Sequence, residues 1–279
     1  MNDRPVPSSI PRPFAVVTGA SSGIGLAVAQ ELARRGWGTF LLARRMHLLT
    51  AAARKLSRTA PSIPIGVDLA DPGAAEAVAA EILDTHGPVD ALVNNAGFGL
   101  YRPFLEHAPA DHARLMQVNY FSSLSLIRSF LPSMIAQGHG TVVNVSSSSA
   151  KMGPWGHAGY AASKAAMRAL TECLHAEHAP RGVRFSCVFP GIVDTPYFEK
   201  AGWEALYAKM RRHAISAERC ARGICNVIQR PRVWASIPGH YRLLDAIAAF
   251  SPRLAHAIVA RSSQVGSSIA NVAPNDAVD

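Results

Sequence analysis

Residues 14–25 have the sequence FAVVTGASSGIG, and an Ala- and Leu-rich stretch from Leu26 to Arg35 follows them. The pattern predicts a short buried strand, a glycine turn and a helix that ends before Gly36. This order suits the phosphates of a dinucleotide, because glycine lets the backbone approach them and a helix N-terminus offers free N–H groups. The alternative is a glycine-rich turn without a ligand. The predicted cofactor contacts are Gly19, Ser21, Ser22, Gly23, Ile24 and Gly25.

The residues after the second predicted strand, Thr39 to Ala43, indicate which dinucleotide binds. A carboxylate at this position would accept hydrogen bonds from the adenosine ribose and favour NAD. The sequence instead continues with Arg44 and Arg45. Because arginine binds phosphate through paired donors, these residues predict contact with the 2′-phosphate of NADP, Arg44 foremost. The alternative, solvated charges that begin the next helix, weighs more heavily for Arg45.

Strands and helices continue to alternate along the chain. Ile63 to Val67 and Ala91 to Val93 have the composition of buried strands, and Asp71-Pro72 predicts a helix start with Asp71 as its N-cap. Such alternation predicts a parallel sheet with helices on both faces. The small polar residues at 94–97 follow the fourth strand, at the carboxyl edge where these sheets bind ligands.

A long helical pattern runs from Ala110 to Gln137, with Pro132 as a candidate kink. Asn119 lies within it among apolar and aromatic neighbours. A buried amide needs hydrogen-bond partners. Asn119 therefore either stabilises the fold or binds a water near an active site.

Residues 141–167, TVVNVSSSSAKMGPWGHAGYAASKAAM, carry chemically active side chains. They predict a strand, a loop containing Ser147, and a helix containing Tyr160 and Lys164. Residues four apart share a helix face, so the phenol and the ammonium point the same way, and a nearby cation lowers the pKa of a phenol. The loop is long enough to return the Ser147 hydroxyl to them. On its own, the Tyr-x-x-x-Lys spacing fits two ordinary surface residues better than a site.

The composition sets broad limits. With 279 residues, 49% of them hydrophobic, the chain can form one domain around one large core. No apolar run approaches a membrane span, and residues 1–13 predict a flexible tail without the apolar centre of a signal peptide. A net charge of +9 permits anionic ligands, but without a zinc-finger or RNA-binding pattern we expect no nucleic-acid partner. Four cysteines without metal-ligand spacing predict no metal site, no required disulfide and a cytoplasmic location.

In this order and spacing, the motifs resemble the short-chain dehydrogenase/reductase family, in the branch with the TGxxxGxG pattern. The resemblance spans roughly Phe14 to Ser236 and includes NNAG at 94–97 and PGIVDT at 190–195, similar to the family's PGxVxT. It implies a Rossmann-like, doubly wound α/β fold with a seven-stranded parallel sheet, in one domain at residues 14–238. It implies a catalytic tetrad of Asn119, Ser147, Tyr160 and Lys164. The cofactor contacts that it implies are Asp68, Leu69, Asn95, Ala96, Gly97, Val118, Tyr160, Lys164, Pro190, Gly191, Val193 and Thr195.

The resemblance also implies a reaction and an assembly. A hydride passes between NADP(H), preferred over NAD(H), and a carbonyl or alcohol carbon of a small molecule. Tyr160 supplies the proton, Lys164 lowers its pKa and contacts the nicotinamide ribose, and Ser147 positions the substrate oxygen. Asn119 binds a water of a proton relay. Two copies of the chain form a homodimer.

The C-terminal part departs from the family pattern. The expected seventh strand, Arg232 to Ser236, is followed by Pro238-Gly239 in place of Asp-Gly-Gly, which puts the usual tetramer in doubt. Residues 239–279 predict a basic helical extension and a disordered tail. The extension packs on the protein's own surface, on a partner subunit or on an anionic membrane, and we favour the first. The prediction rests on Leu243, Leu244 and Ile247 in one helix, on Leu254 and Ile258 in a second that starts at Ser251-Pro252, and on Arg242, Arg253 and Arg261.

The loops expected beside the nicotinamide predict an apolar or aromatic substrate, such as a ketone or a steroid-like or lipid-like molecule. Two other functions stay open: a regulator that binds NADP(H) without turnover, and a peripheral membrane protein that acts through its C-terminal helices. The intact tetrad argues against the regulator. The aromatic and apolar loop residues are Phe98, Leu100, Tyr101, Phe104, Trp155, His157, Tyr197, Phe198 and Trp203, the last three in a predicted lid at 196–211.

Overall fold

The computed structural model describes residues 12–201, 207–208, 210–251, 253–255 and 257. The predicted N-terminal tail up to residue 11, the side chain of Leu244, and the C-terminal tail from residue 258 onward lie outside the described part. So do Trp203, Pro252, Ile258 and Arg261.

Seven parallel strands form one sheet, and a pair of short strands lies apart from it. The strands are β1 (Phe14–Thr18), β2 (Gly38–Ala43), β3 (Ser62–Gly66), β4 (Ala91–Asn94), β5 (Gly140–Val145), β6 (Val183–Pro190), β7 (Val193–Asp194), β8 (Ile215–Ser216) and β9 (Trp234–Ile237). The sheet order is β3-β2-β1-β4-β5-β6-β9, and β7 pairs with β8. The order reverses between β1 and β4, which opens a crevice at the carboxyl ends of the strands. The predicted doubly wound, seven-stranded sheet is confirmed.

Helices cover both faces of the sheet because side chains alternate along its strands. Val17 and Leu41 pack in a core with α1 and α8, whereas Val16 and Phe40 pack in a second core with α3 and α5. Two hydrophobic layers therefore enclose the sheet. The helices are α1 (Gly23–Arg34), α2 (Met46–Leu56), α3 (Ala74–His86), α4 (Pro109–Met116), α5 (Ser122–Gln137), α6 (Ala158–His178), α7 (Tyr197–Lys200), α8 (Ala217–Gln229) and α9 (Tyr241–Phe250).

Two local predictions were wrong. Helix α3 begins after Gly73, which has a φ of 83° and takes the N-cap position predicted for Asp71. The seventh strand starts at Trp234 and not at Arg232. The long helical stretch predicted from Ala110 to Gln137 is present: α4, the π-helical turn Gln117–Phe121 and α5 follow one another without a gap, and Pro132 lies inside α5.

A chain of buried amides fixes the helix that carries the predicted tyrosine and lysine. Asn94 Nδ2 donates to Asn144 Oδ1 at 2.8 Å, and Asn144 Nδ2 donates to Thr171 Oγ1 at 2.9 Å. These bonds join β4, β5 and α6. A buried polar group without a partner costs about 1–3 kcal/mol, so these hydrogen bonds favour one position of α6 against the carboxyl ends of the strands.

Candidate active site

The glycine turn after β1 is packed so closely that two of its positions require glycine. Gly19 has a φ of 68°, and a Cβ atom there would lie 2.9 Å from Asn95 Nδ2. A side chain at Gly25 would collide with the Gly19 carbonyl. The first turn of α1 therefore presents bare backbone toward the crevice, which fits the phosphates of a dinucleotide.

Thr18 joins this turn to the segment after β4. Its hydroxyl accepts hydrogen bonds from the backbone N–H groups of Asn95 and Ala96, both at 2.9 Å, and Asn95 Nδ2 donates to the Thr18 carbonyl at 2.9 Å. The predicted contacts at 94–97 thus lie beside the glycine turn. Thr18 was not among the predicted site residues, although its position between strand and turn was the available signal.

The two arginines after β2 have different environments. Arg45 Nη2 donates to Ser21 Oγ at 2.9 Å and to Ser22 Oγ at 2.8 Å, inside the glycine turn. Arg44 is 63% exposed, and its Nη1 lies 3.7 Å from Asp68 Oδ2. The cation within the turn is therefore Arg45, the residue for which the sequence left phosphate contact and solvent equally open, and not Arg44, the residue expected foremost.

Asn119 lies in the π-helical turn and is fully buried. Its Oδ1 accepts from the Phe98 N–H at 3.0 Å, while its Nδ2 donates to the Phe98 carbonyl and to Ser163 Oγ, each at 3.0 Å. Both amide protons are used, and Oδ1 keeps one acceptor position. The π-helical turn thus points this side chain at the segment after β4, as π-bulges at functional sites often do.

Lys164 is buried behind the site. Its Nζ donates to the Val145 carbonyl at 2.9 Å and lies 5.9 Å from the centroid of the Tyr160 ring. A Cβ atom at Gly97 would lie 3.1 Å from Lys164 Nζ and 3.0 Å from Asn119 Oδ1, closer than most Cβ contacts, so a side chain there would push on both groups. Burial lowers the pKa of Lys164 to about 8. The group still carries a charge at neutral pH.

Tyr160 lies on the same face of α6, and its side chain is buried. Burial raises the pKa of Tyr160, and the neighbouring hydroxyls of Tyr197 and Ser147 lower it by less. The expected lowering of this pKa by Lys164 is not found here; the ammonium bonds the Val145 carbonyl and lies 5.9 Å from the ring centroid. The phenol is therefore protonated at neutral pH and can act as a proton donor.

Ser147 starts the loop after β5, in extended conformation. Its hydroxyl accepts from the Ser149 N–H at 3.1 Å and lies within hydrogen-bonding reach of the Tyr160 phenol. The neighbouring Ser146 donates to the Lys164 carbonyl at 2.8 Å and ties the loop to α6. The predicted tetrad thus comes together from three elements at one end of the sheet.

The remaining predicted cofactor contacts lie in several elements. The Thr195 side chain packs 3.3 Å from a Cβ position at Gly23, so the segment after β6 reaches the glycine turn. Val193 and Leu69 are buried. Val118 occupies the π-helical turn next to Asn119, and Pro190 ends β6.

A row of aromatic rings leads away from Tyr160. The ring centroids of His157 and Tyr197 lie 5.8 Å and 5.9 Å from that of Tyr160. Burial lowers the pKa of His157 to about 4, so the imidazole is neutral at physiological pH. The row continues through Tyr101, Trp155 and Phe198, whereas Phe104 is 63% exposed and packs on His112.

Ser163, Asn144 and Thr171 also hold the site together and were not predicted. The Ser163 hydroxyl accepts from Asn119 and donates to the Tyr160 carbonyl at 2.8 Å. Nothing in the local sequence distinguishes this serine from others on α6. Its role depends on a contact between elements far apart in the chain.

The chain belongs to the short-chain dehydrogenase family, whose model matches residues 13–204. A similar protein, "Dehydrogenase/reductase SDR family protein 7-like" of Anopheles gambiae, is 35% identical over 203 residues, 70% of this chain and 64% of that one. The 3-ketodihydrosphingosine reductase of Bos taurus is 35% identical over 202 residues, 70% of this chain and 61% of that one.

A solved structure, that of L-sorbose reductase from Gluconobacter frateurii complexed with NADPH and L-sorbose, matches with a TM-score of 0.74 and 28% identity. The match covers 82% of this chain and 96% of that one. The chain thus spans less than two thirds of the two similar curated proteins. No helix in the described part is long and apolar enough to cross a membrane.

Proposed function

We propose that the protein is an NADP(H)-dependent oxidoreductase that interconverts a carbonyl and an alcohol. One observation carries the proposal: the Tyr160 phenol and the Ser147 hydroxyl meet in front of the buried Lys164 ammonium. They do so at the carboxyl edge of a doubly wound sheet, next to a glycine turn shaped for phosphate. This supports roles for Tyr160 as proton donor, Ser147 as the hydroxyl that binds the substrate oxygen, and Lys164 as the nearby cation.

The chemistry divides between cofactor and protein. A bound nicotinamide supplies or accepts the hydride. In the reductive direction, Ser147 donates a hydrogen bond to the substrate oxygen, and Tyr160 gives its proton to that oxygen as negative charge develops. We expect the Lys164 charge to act on the phenolate once the proton has left, although it does not lower the pKa of the phenol in this structure. The free acceptor position on Asn119 Oδ1 can bind a water that resupplies the proton.

The arginine contacts support NADP(H) over NAD(H). Arg45 carries a guanidinium into the glycine turn, where Ser21 and Ser22 add hydroxyl donors. Charge-assisted hydrogen bonds of arginine to phosphate are among the strong polar interactions of proteins. The structural relative L-sorbose reductase binds NADPH. We assign the main 2′-phosphate contact to Arg45 and a secondary one to Arg44.

The walls of the site favour a substrate with an apolar or aromatic body. His157, Tyr160 and Tyr197 form consecutive rings, and the imidazole is uncharged. Such a wall offers stacking surface but few hydrogen-bond donors for a sugar. One relative is named for the reduction of 3-ketodihydrosphingosine, a ketone by its name, and a structural relative binds L-sorbose. Of these two compounds, the first suits such a wall better than the sugar does.

The first test of this function replaces Tyr160 by Phe. We expect the variant to keep its fold and its affinity for NADPH and to lose about 10²–10⁴-fold in kcat, because the proton donor is gone. The assay follows NADPH oxidation with a panel of ketones that includes benzil and long-chain ketones. Tyr120→Phe, which removes a phenol outside the tetrad, is the control. A Tyr160→Phe enzyme with wild-type turnover would remove Tyr160 from the mechanism.

The second test compares the two arginines. We expect Arg45→Ala to weaken NADPH binding by about 10- to 100-fold, the equivalent of one charge-assisted bond, and to leave NADH binding unchanged. Arg44→Ala serves as the matched neighbour and loses less. Titration of each variant, followed by nicotinamide fluorescence, gives the affinities. An unchanged ratio of NADPH to NADH affinity in Arg45→Ala contradicts the assignment.

The third test concerns assembly. We propose a homodimer through α5, the π-helical turn and α6, where Phe121 leaves 46% of its surface exposed on a single chain. An exposed aromatic side chain on a helix face is a common feature of helix–helix interfaces. Sedimentation velocity at micromolar concentration should give the mass of a dimer. The Phe121→Asp variant should sediment more slowly than the wild type, closer to the mass of a monomer. A wild-type protein that is itself a monomer rejects the proposal.

A further inference from the structure

A buried ion pair joins the C-terminal helix to the loop that carries Ser147. Lys151 Nζ lies 2.6 Å from Asp245 Oδ2 on α9 and donates to Ser236 Oγ on β9 at 3.1 Å. The Ser236 hydroxyl donates to the same Asp245 oxygen at 2.6 Å. The Lys151 side chain is 5% exposed and the Asp245 side chain 21%. Lys151, in the loop that carries Ser147, is thus held by the Ser236 hydroxyl and the Asp245 carboxylate.

Aromatic rings close the other sides of this lysine. Its Nζ lies 3.8 Å from the centroid of the Phe189 ring on β6 and 5.5 Å from that of Trp234 on β9. Ring faces attract a cation, most strongly when water is excluded. Three elements, β6, β9 and α9, therefore define where the Lys151 ammonium sits.

The same helix contacts the second loop of the site. The Tyr241 ring at the start of α9 covers Gly191, where a Cβ atom would lie 2.6 Å from Tyr241 Cζ. The Tyr241 phenol hydrogen-bonds to the backbone at Ile192, and the Gly191 N–H donates to the Ile237 carbonyl at 2.8 Å. One helix thus touches both loops that flank the tetrad, 146–157 and 190–196.

These contacts have more than a stabilising consequence. A buried ion pair contributes little net stability, because the charges lose their hydration, but its directional bonds specify one arrangement. Loops at sheet edges move unless other elements hold them. A catalytic hydroxyl displaced by about 1 Å can cost about 10²-fold in rate. We therefore expect the Lys151–Asp245 pair to act on the position of the Ser147 loop more than on the overall stability.

We propose that Lys151 and Asp245 are positioning residues of the reaction, and that α9 is a built-in clamp that holds the Ser147 loop and the 190–196 segment at catalytic distance. The proposal rests on the function proposed above. It makes the C-terminal extension part of the active-site architecture. Neither residue touches the reacting atoms, and both act through the loops that they join.

Hydrogen exchange tests the clamp without any need for turnover. Asp245→Asn keeps the side-chain shape and removes the charge, so we expect the amides of 146–152 and 191–193 to exchange faster, and those of α3 to exchange as in the wild type. Leu243→Ala, on the exposed face of the same helix, is the control and should change neither loop. Loops that exchange no faster in Asp245→Asn overturn the proposal.

Kinetics separates positioning from simple stabilisation. With NADPH and benzil, we expect Asp245→Asn to lose about 10- to 100-fold in kcat, with the KM for NADPH nearly unchanged. The double variant Lys151→Met/Asp245→Leu leaves no unpaired buried charge, so its Tm should return toward that of Leu243→Ala while kcat stays low. Recovery of kcat together with Tm would show that the pair only stabilises the fold.

A wild type that fails to oxidise NADPH with any ketone counts against the proposed function. The hydrogen-exchange result alone then shows whether α9 holds the two loops.

Discussion

The arrangement of the site depends on one constraint, the burial of the Lys164 ammonium. Removing this charge from water costs energy, which is why the pKa of Lys164 falls to about 8. The Val145 carbonyl at the end of β5 receives its hydrogen bond, and Gly97 leaves the space beside it open. The cation that results is fixed, partly dehydrated and close to Tyr160. Such preorganised charge acts more strongly on a developing anion than a solvated lysine would.

Sequence reasoning predicted the sheet, the glycine turn and the shared helix face of Tyr160 and Lys164, because each depends on local pattern or on spacing along one element. The addition of Asn119 and Ser147 came from the family resemblance. Sequence reasoning failed where the outcome depends on contacts between elements. Arg44 and Arg45 are adjacent and chemically identical, and only the path of the chain into α2 decides which one meets Ser21 and Ser22. The π-helical turn that aims Asn119 adds one residue to a helix without any sequence signal.

The C-terminal helix illustrates the same limit. Its apolar spacing predicts a helix, but docking on the catalytic loops depends on Asp245 meeting Lys151, residues far apart in the chain. Sequence reasoning favoured packing on the protein's own surface, and the described part of α9 packs against β9 and both site loops. In this chain, α9 and the two loops beside the predicted tetrad form one structural unit. Changes in the extension would therefore alter catalysis as well as stability.

The most direct measurement follows the hydride itself. Wild-type protein is incubated with a ketone that it reduces and with NADPH carrying deuterium at the transferable position of the nicotinamide, and the alcohol is analysed by mass spectrometry. The account predicts a single deuterium on the carbinol carbon. Unlabelled NADPH in deuterated water, the control, should leave that carbon unlabelled, because only Tyr160 and solvent supply the hydroxyl proton. An alcohol without deuterium from the labelled cofactor, or with deuterium from the solvent on carbon, would contradict hydride transfer at this site.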